Sequence, residues 1–153
     1  MVRDTEKQKT YTAEYTVRNV LDNPGTINMF GMVINVPEER RFSNVDDVQR
    51  YVDAVMVHIG RDEKLTVRAR KGQNFAHYSR DNKEIAVPEK ERWALRELVV
   101  LHEVAHHLTS ENVASHGPEF RGNLCKLLGE VLGHEAQFLL QVEYGEAGLK
   151  VFV

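Results

Sequence analysis

His102-Glu103-Val104-Ala105-His106 is where residue type and spacing in this chain could do chemistry. On a helix, positions i and i+4 lie on one face, one turn apart, so two imidazoles at that spacing can reach a single metal ion. A glutamate directly after the first histidine stands close enough to hold and deprotonate a water on that metal. The residues around the motif support a buried helix. Leu95, Leu98, Val99, Val100, Leu101, Val104, Ala105 and Leu108 make the segment apolar nearly all round. Two histidines and a glutamate are costly to bury there without partners, and a metal supplies one. The competing expectation is a pair of core histidines hydrogen-bonded to carbonyls.

A catalytic zinc site wants three protein ligands and an open fourth position. His116 is the candidate for the third, ahead of Glu111 and Glu119. It stands just before Gly117-Pro118, where glycine permits a tight turn and proline suits the first turn of a following helix. Thr109 to Asn112 read as loop, so the chain can leave the metal helix and return a ligand to the same ion. His107 lies about 100° around the helix from His106 and is expected to make a polar contact instead.

His102-Glu103-x-x-His106 followed by His116-Gly117-Pro118-Glu119-Phe120 resembles the active-site segment of SprT-like and related minimal zincin metallopeptidases. It is also similar to a group of small actinobacterial and phage metallohydrolases. The close match covers the stretch from Leu95 to Phe120. The resemblance implies that His116 is the third zinc ligand. It also implies a zincin-like α+β fold, with a small mixed or antiparallel sheet whose hairpin forms the rim of a cleft, a central buried metal helix and flanking helices. The pattern departs from metzincins, whose third histidine follows sooner and which carry a later Met-turn. It also lacks the cysteines of the zinc ribbon that some SprT-like proteins append.

The remaining elements follow from periodicity. Within residues 3–22, Tyr11, Ala13, Tyr15 and Val17 alternate as a strand would, but the length and many charges favour a helix, with Asp4-Thr5 as cap candidates and Asn23-Pro24-Gly25 as a stop. A strand lies somewhere within 27–36 and is ended by Pro37 to Arg41, a charge run expected to be a solvated loop. Ser43-Asn44 caps a second helix with Val45, Val48, Tyr51, Val52, Val55 and Met56 on its apolar stripe; His58 near its end is expected to be structural. Leu65 to Arg70 alternate as a strand with one basic face. Residues 75–79 and 84–87 form a hairpin around Arg80 to Lys83, which would bring His77, Tyr78 or Arg80 near a scissile bond. Glu89 to Arg92 open the metal helix, and Trp93 anchors the core one turn inside it. Residues 119–132 and 135–144 make two further helices separated by Gly133, with His134 as a cap. The apolar tail 149–153 docks as a short strand or meets a partner.

Composition sets the outer bounds. A chain of 153 residues is expected to form a single domain with a real core. A net charge of −3 gives no argument for nucleic acid or an anionic membrane surface. No apolar run approaches the ~20 residues of a membrane span, and the N-terminus has no apolar signal segment, so a cytoplasmic location is the simplest expectation. The single Cys125 excludes an internal disulfide and reads as a core residue. The expected function is hydrolysis of a peptide bond in a protein or peptide substrate. One Zn²⁺ per chain would be held by His102, His106 and His116, with Glu103 as general base. The alternatives are a non-peptide amide or ester hydrolase with the same centre, and a non-catalytic zinc-stabilised binding protein. A protease acting on DNA-bound proteins would need a basic patch, for which Arg68, Arg70, Lys71 and Arg80 are the local cluster.

Overall fold

The computed structural model describes residues 2–152, an α+β chain of five α-helices and two small sheets. The described residues divide into two units. One runs up to Glu39 and resumes at Leu108; the other spans Arg40–His107. Among the described residues no helix is long and apolar enough to cross a membrane.

In the first unit, helix α1 (Lys7–Leu21) buries Thr10, Ala13, Glu14, Val17 and Leu21, a stripe at three- and four-residue spacing. Asp4 does not cap it: the cap position is Glu6, without a side-chain cap bond, and the Asp4 carboxylate is used elsewhere. The segment expected to hold one strand holds a hairpin, β1 (Gly25–Met29) paired antiparallel with β2 (Met32–Val36). Its two-residue loop is Phe30-Gly31, both left-handed at φ 53° and 78°, as a type I′ turn demands. Phenylalanine is a poor residue for that conformation, so the turn carries no Asn-Gly signal. Helices α4 (Pro118–Val131) and α5 (His134–Glu146) complete the unit, with α5 packed on α1, α4 and β2. Gly133, at φ 115°, holds the cap position of α5, and His134 is its first residue rather than a cap.

The tail of this unit docks without forming a strand. Leu149 is buried, and the Phe152 amide donates to the Pro118 carbonyl at 3.1 Å. Backbone approaches so closely to α4 that a Cβ on Gly122 would lie 1.5 Å from the Phe152 carbonyl oxygen.

In the second unit, Asn44 caps α2 (Val45–His58) by accepting from the Asp47 amide at 2.9 Å. The sheet has the order β3 (Thr66–Ala69), β5 (Glu84–Val87), β4 (His77–Ser79). β3 is parallel and β4 antiparallel to the central β5, and α2 packs against β3. Residues 84–87 and 77–79 thus pair as the expected hairpin.

Helix α3 (Glu97–Leu108) starts later than its sequence suggests. Arg92–Ala94 form only a 3-10 turn. Arg96 pairs across an isolated antiparallel bridge with Arg41, the Phe42 amide donates to the Leu95 carbonyl at 2.9 Å, and the Glu97 amide donates to the Arg40 carbonyl at 3.1 Å. These long-range bonds hold residues 95–96 off the helical path and satisfy a free amide at the helix start. Three expectations change with them. Trp93 is half-buried and meets the exposed ring of Phe75 edge-on at 5.7 Å, rather than anchoring the core. Glu89 accepts from the Val45 amide at 2.9 Å, outside α3. The 37–41 run is not simply solvated, because Glu39 is buried and Arg40 is bound to Glu97.

Gly122→Ala is expected to lower unfolding free energy by about 1–3 kcal/mol, because the added methyl meets backbone. Gly145→Ala, at an exposed helical position with nothing near its Cβ, should raise it by about 0.5–1 kcal/mol. Urea denaturation of both variants measures the contrast; equal effects would contradict the docked tail.

Candidate metal centre

α3 positions the first two histidines by burial. Val100, Leu101, Val104 and Ala105 are completely buried, which fixes the rotation of the helix about its axis. His102 and Glu103 are buried as well, at 5% and 7% exposure, and His106 is half-buried. At the helix start, buried Glu97 is saturated. Its carboxylate accepts from the Arg40 amide at 2.6 Å and the Tyr51 hydroxyl at 2.5 Å, and the Arg40 guanidinium lies at 3.4 Å. The i, i+4 spacing brings the Nε2 atoms of His102 and His106 to 3.2 Å, with the rings at 74°.

His116 is held from three sides. Its amide donates to Asp4 Oδ1 at 3.0 Å and its Nδ1–H to Asp4 Oδ2 at 2.7 Å. Its carbonyl accepts from Arg121 Nη1 at 2.6 Å and from the Thr10 hydroxyl at 3.3 Å. The rings of Tyr11 and Phe120 meet it edge-on at 4.9 and 5.1 Å. A carboxylate is an acceptor only, so the Asp4 contact puts the imidazole proton on Nδ1 and leaves the buried Nε2 as the atom with the lone pair. Gly117 follows in extended backbone (φ −88°), so its role is steric rather than conformational: a Cβ there would lie 3.1 Å from that of Ala114. Pro118 opens α4, as its fixed φ favours.

One ligand nitrogen from each of His102, His106 and His116 lies within 4.8 Å of the others, and the three could hold a metal ion. The donor set suits a divalent metal ion. Zn–N bonds of about 2.0–2.1 Å at tetrahedral angles put nitrogens roughly 3.3 Å apart, close to the His102–His106 separation. Of the alternatives for the third position, Glu111 is exposed, Glu119 is half-buried, and neither falls in this group.

The other candidates have different occupations. His107 is buried, with Nδ1 at 2.7 Å from the Tyr78 hydroxyl and Nε2 at 2.9 Å from Glu63 Oε2, the polar contact expected of it. Arg80 donates to the His106 carbonyl at 3.1 Å, tying β4 to the end of α3. Burial, together with Arg70 and Arg68, pushes the His77 imidazole below its usual pKa. The basic cluster is largely engaged internally: Arg68 pairs with Glu84 at 2.5 Å and Arg70 donates to the Phe75 carbonyl at 2.7 Å. Burial raises the Cys125 thiol to about 12, as befits a core residue.

Two contributors escape a reading of the sequence. Asp4 lies 112 residues from His116 and has no local signature. Arg121 does have one. It occupies the apolar stripe shared with Leu124, Cys125 and Leu128, and a charge on a buried helix face announces a bound partner. No protein-family model, curated protein or solved structure matches the chain.

Glu63 supplies a pH prediction. Hydrogen bonds from Arg61, from its own backbone and from His107 lower its carboxyl from 4.5 to about 2. A depressed folded-state pKa means that its contribution is complete above pH 4.5 and fades as the pH falls toward about 2. Glu63→Gln should therefore lower stability above pH 4.5 and flatten its loss across that window, so that variant and wild type converge toward about pH 2. Denaturation midpoints at a series of pH values measure this, and an unaltered acid limb would refute the assignment.

Proposed function

We propose that this chain is a zinc-dependent hydrolase, a zincin-like metallopeptidase that cleaves a peptide bond. The convergence of three imidazoles beside a buried Glu103 carries the reading. His102, His106 and His116 hold the ion as neutral ligands, His116 through Nε2. Zinc bound there supplies Lewis acidity, which acidifies water toward a pKa of ~7 and polarises a carbonyl. Glu103 accepts the proton of the attacking water and returns it to the leaving amine. A structural zinc site has four protein ligands and no need of a base, so Glu103 favours catalysis over a fastening role.

The sheet supports a peptide as the substrate class. β4 is an edge strand, and Arg80 at its end is bonded to the carbonyl of His106. An extended peptide adding to that edge would run beside the metal helix, held by backbone hydrogen bonds. The motif's resemblance to SprT-like peptidases agrees with this reading. The internal pairing of Arg68, Arg70 and Arg80 lends no support to a DNA-bound substrate.

Zinc-loaded protein incubated with a diverse peptide mixture should yield new termini by mass spectrometry. Glu103→Gln should slow that cleavage about 10²–10⁴-fold with zinc content unchanged. Equal cleavage by the variant would remove Glu103 from its role. Cleavage of small esters or amides, with all peptides intact, would move the reading to a non-peptide hydrolase.

A further inference from the structure

The N-terminal segment makes direct bonds to the candidate third ligand. Asp4 engages both hydrogen-bond donors of His116 that face it, the backbone amide at 3.0 Å and Nδ1–H at 2.7 Å. One carboxylate bridging a ring and its own backbone fixes the side-chain torsions as well as the tautomer. The arrangement is braced on the other side. Arg121, with no exposed surface, binds the His116 carbonyl at 2.6 Å, the Thr10 hydroxyl at 3.2 Å and Glu6 Oε1 at 3.0 Å. Asp4, Glu6 and Thr10 thus all come from the few residues around the start of α1, and all converge on His116 directly or through Arg121.

We infer that Asp4 is a positioning residue for the metal centre and that the segment from Asp4 to Thr10 is part of that centre. The inference rests on the reading of His116 as a zinc ligand. Three physical effects make the link. Asp4 holds the proton on Nδ1, so Nε2 presents its lone pair without a tautomer change. Its negative charge raises the basicity of the imidazole toward a cation. Its two hydrogen bonds remove rotational freedom that binding would otherwise have to remove.

The test is zinc affinity of the full chain by competition with a chromophoric chelator, on wild type, Asp4→Asn and Asp4→Ala. The Asn variant is nearly isosteric but carries no charge and one acceptor oxygen in place of two. We expect Asp4→Ala to weaken zinc binding about 10–100-fold and Asp4→Asn to fall between it and wild type. The visible spectrum of the cobalt(II)-substituted protein should also change in both variants, because the orientation of a ligand ring alters the metal's field. The metal-free melting temperature of Asp4→Asn supplies a control for simple loss of structure. If wild type binds zinc and both variants bind it equally, with identical cobalt spectra, Asp4 is structural only and the inference is overturned while the metal site stands. If wild type binds no zinc, the metal-site reading fails, and this inference fails with it.

Discussion

A guanidinium with no exposed surface must find acceptors inside the protein, and in this chain that requirement organises everything around His116. Arg121 satisfies it with the His116 carbonyl, the Lys150 carbonyl at 2.8 Å, the Thr10 hydroxyl and the Glu6 carboxylate. A buried charge left unpaired costs several kcal/mol, so these partners are held together by the penalty for losing any of them. The start of α1, the loop before α4 and the docked tail are thereby joined at one side chain. The glycine at 122 belongs to the same arrangement, since only a residue without Cβ lets the tail backbone lie against α4.

α3 obeys a different constraint. Its apolar surroundings demand that each polar group be matched, and Glu97 and His107 each are. Glu97 sits at the N-terminal end, where the helix dipole favours negative charge. His107 braces the other end against Tyr78 of β4 and Glu63. Between them, His102 and His106 point their Nε2 atoms toward one another at a separation suited to a shared cation. The braces at both ends keep the pair from rotating out of register, which is the kind of support a metal site draws from the residues behind its ligands.

Much of this was legible in the sequence, and the failures have physical causes. The stripes of α1, α2, α4 and α5 follow helical spacing, and their burial agrees with it. Asn44 caps as its type suggests. The 75–87 hairpin was readable from its alternation. The β1–β2 hairpin was not, because Phe30 occupies a left-handed position that Asn or Gly normally marks. The start of α3 was misplaced because a bridge to Arg41, distant in sequence, overrides local helical preference at residues 95–96. The three histidines stood out by spacing. Asp4 did not, since only the folded chain brings it to His116, and Arg121 was missed although its charge lies on an apolar stripe.

The proposed chemistry requires one metal ion shared by His102, His106 and His116. Elemental analysis of the purified protein tests it most directly, on wild type and on His116→Ala. A single zinc per chain in the wild type and a sharp reduction in the variant are expected. A wild type that takes up no metal when zinc is supplied, or a variant that retains it in full, would rule out a shared three-histidine site.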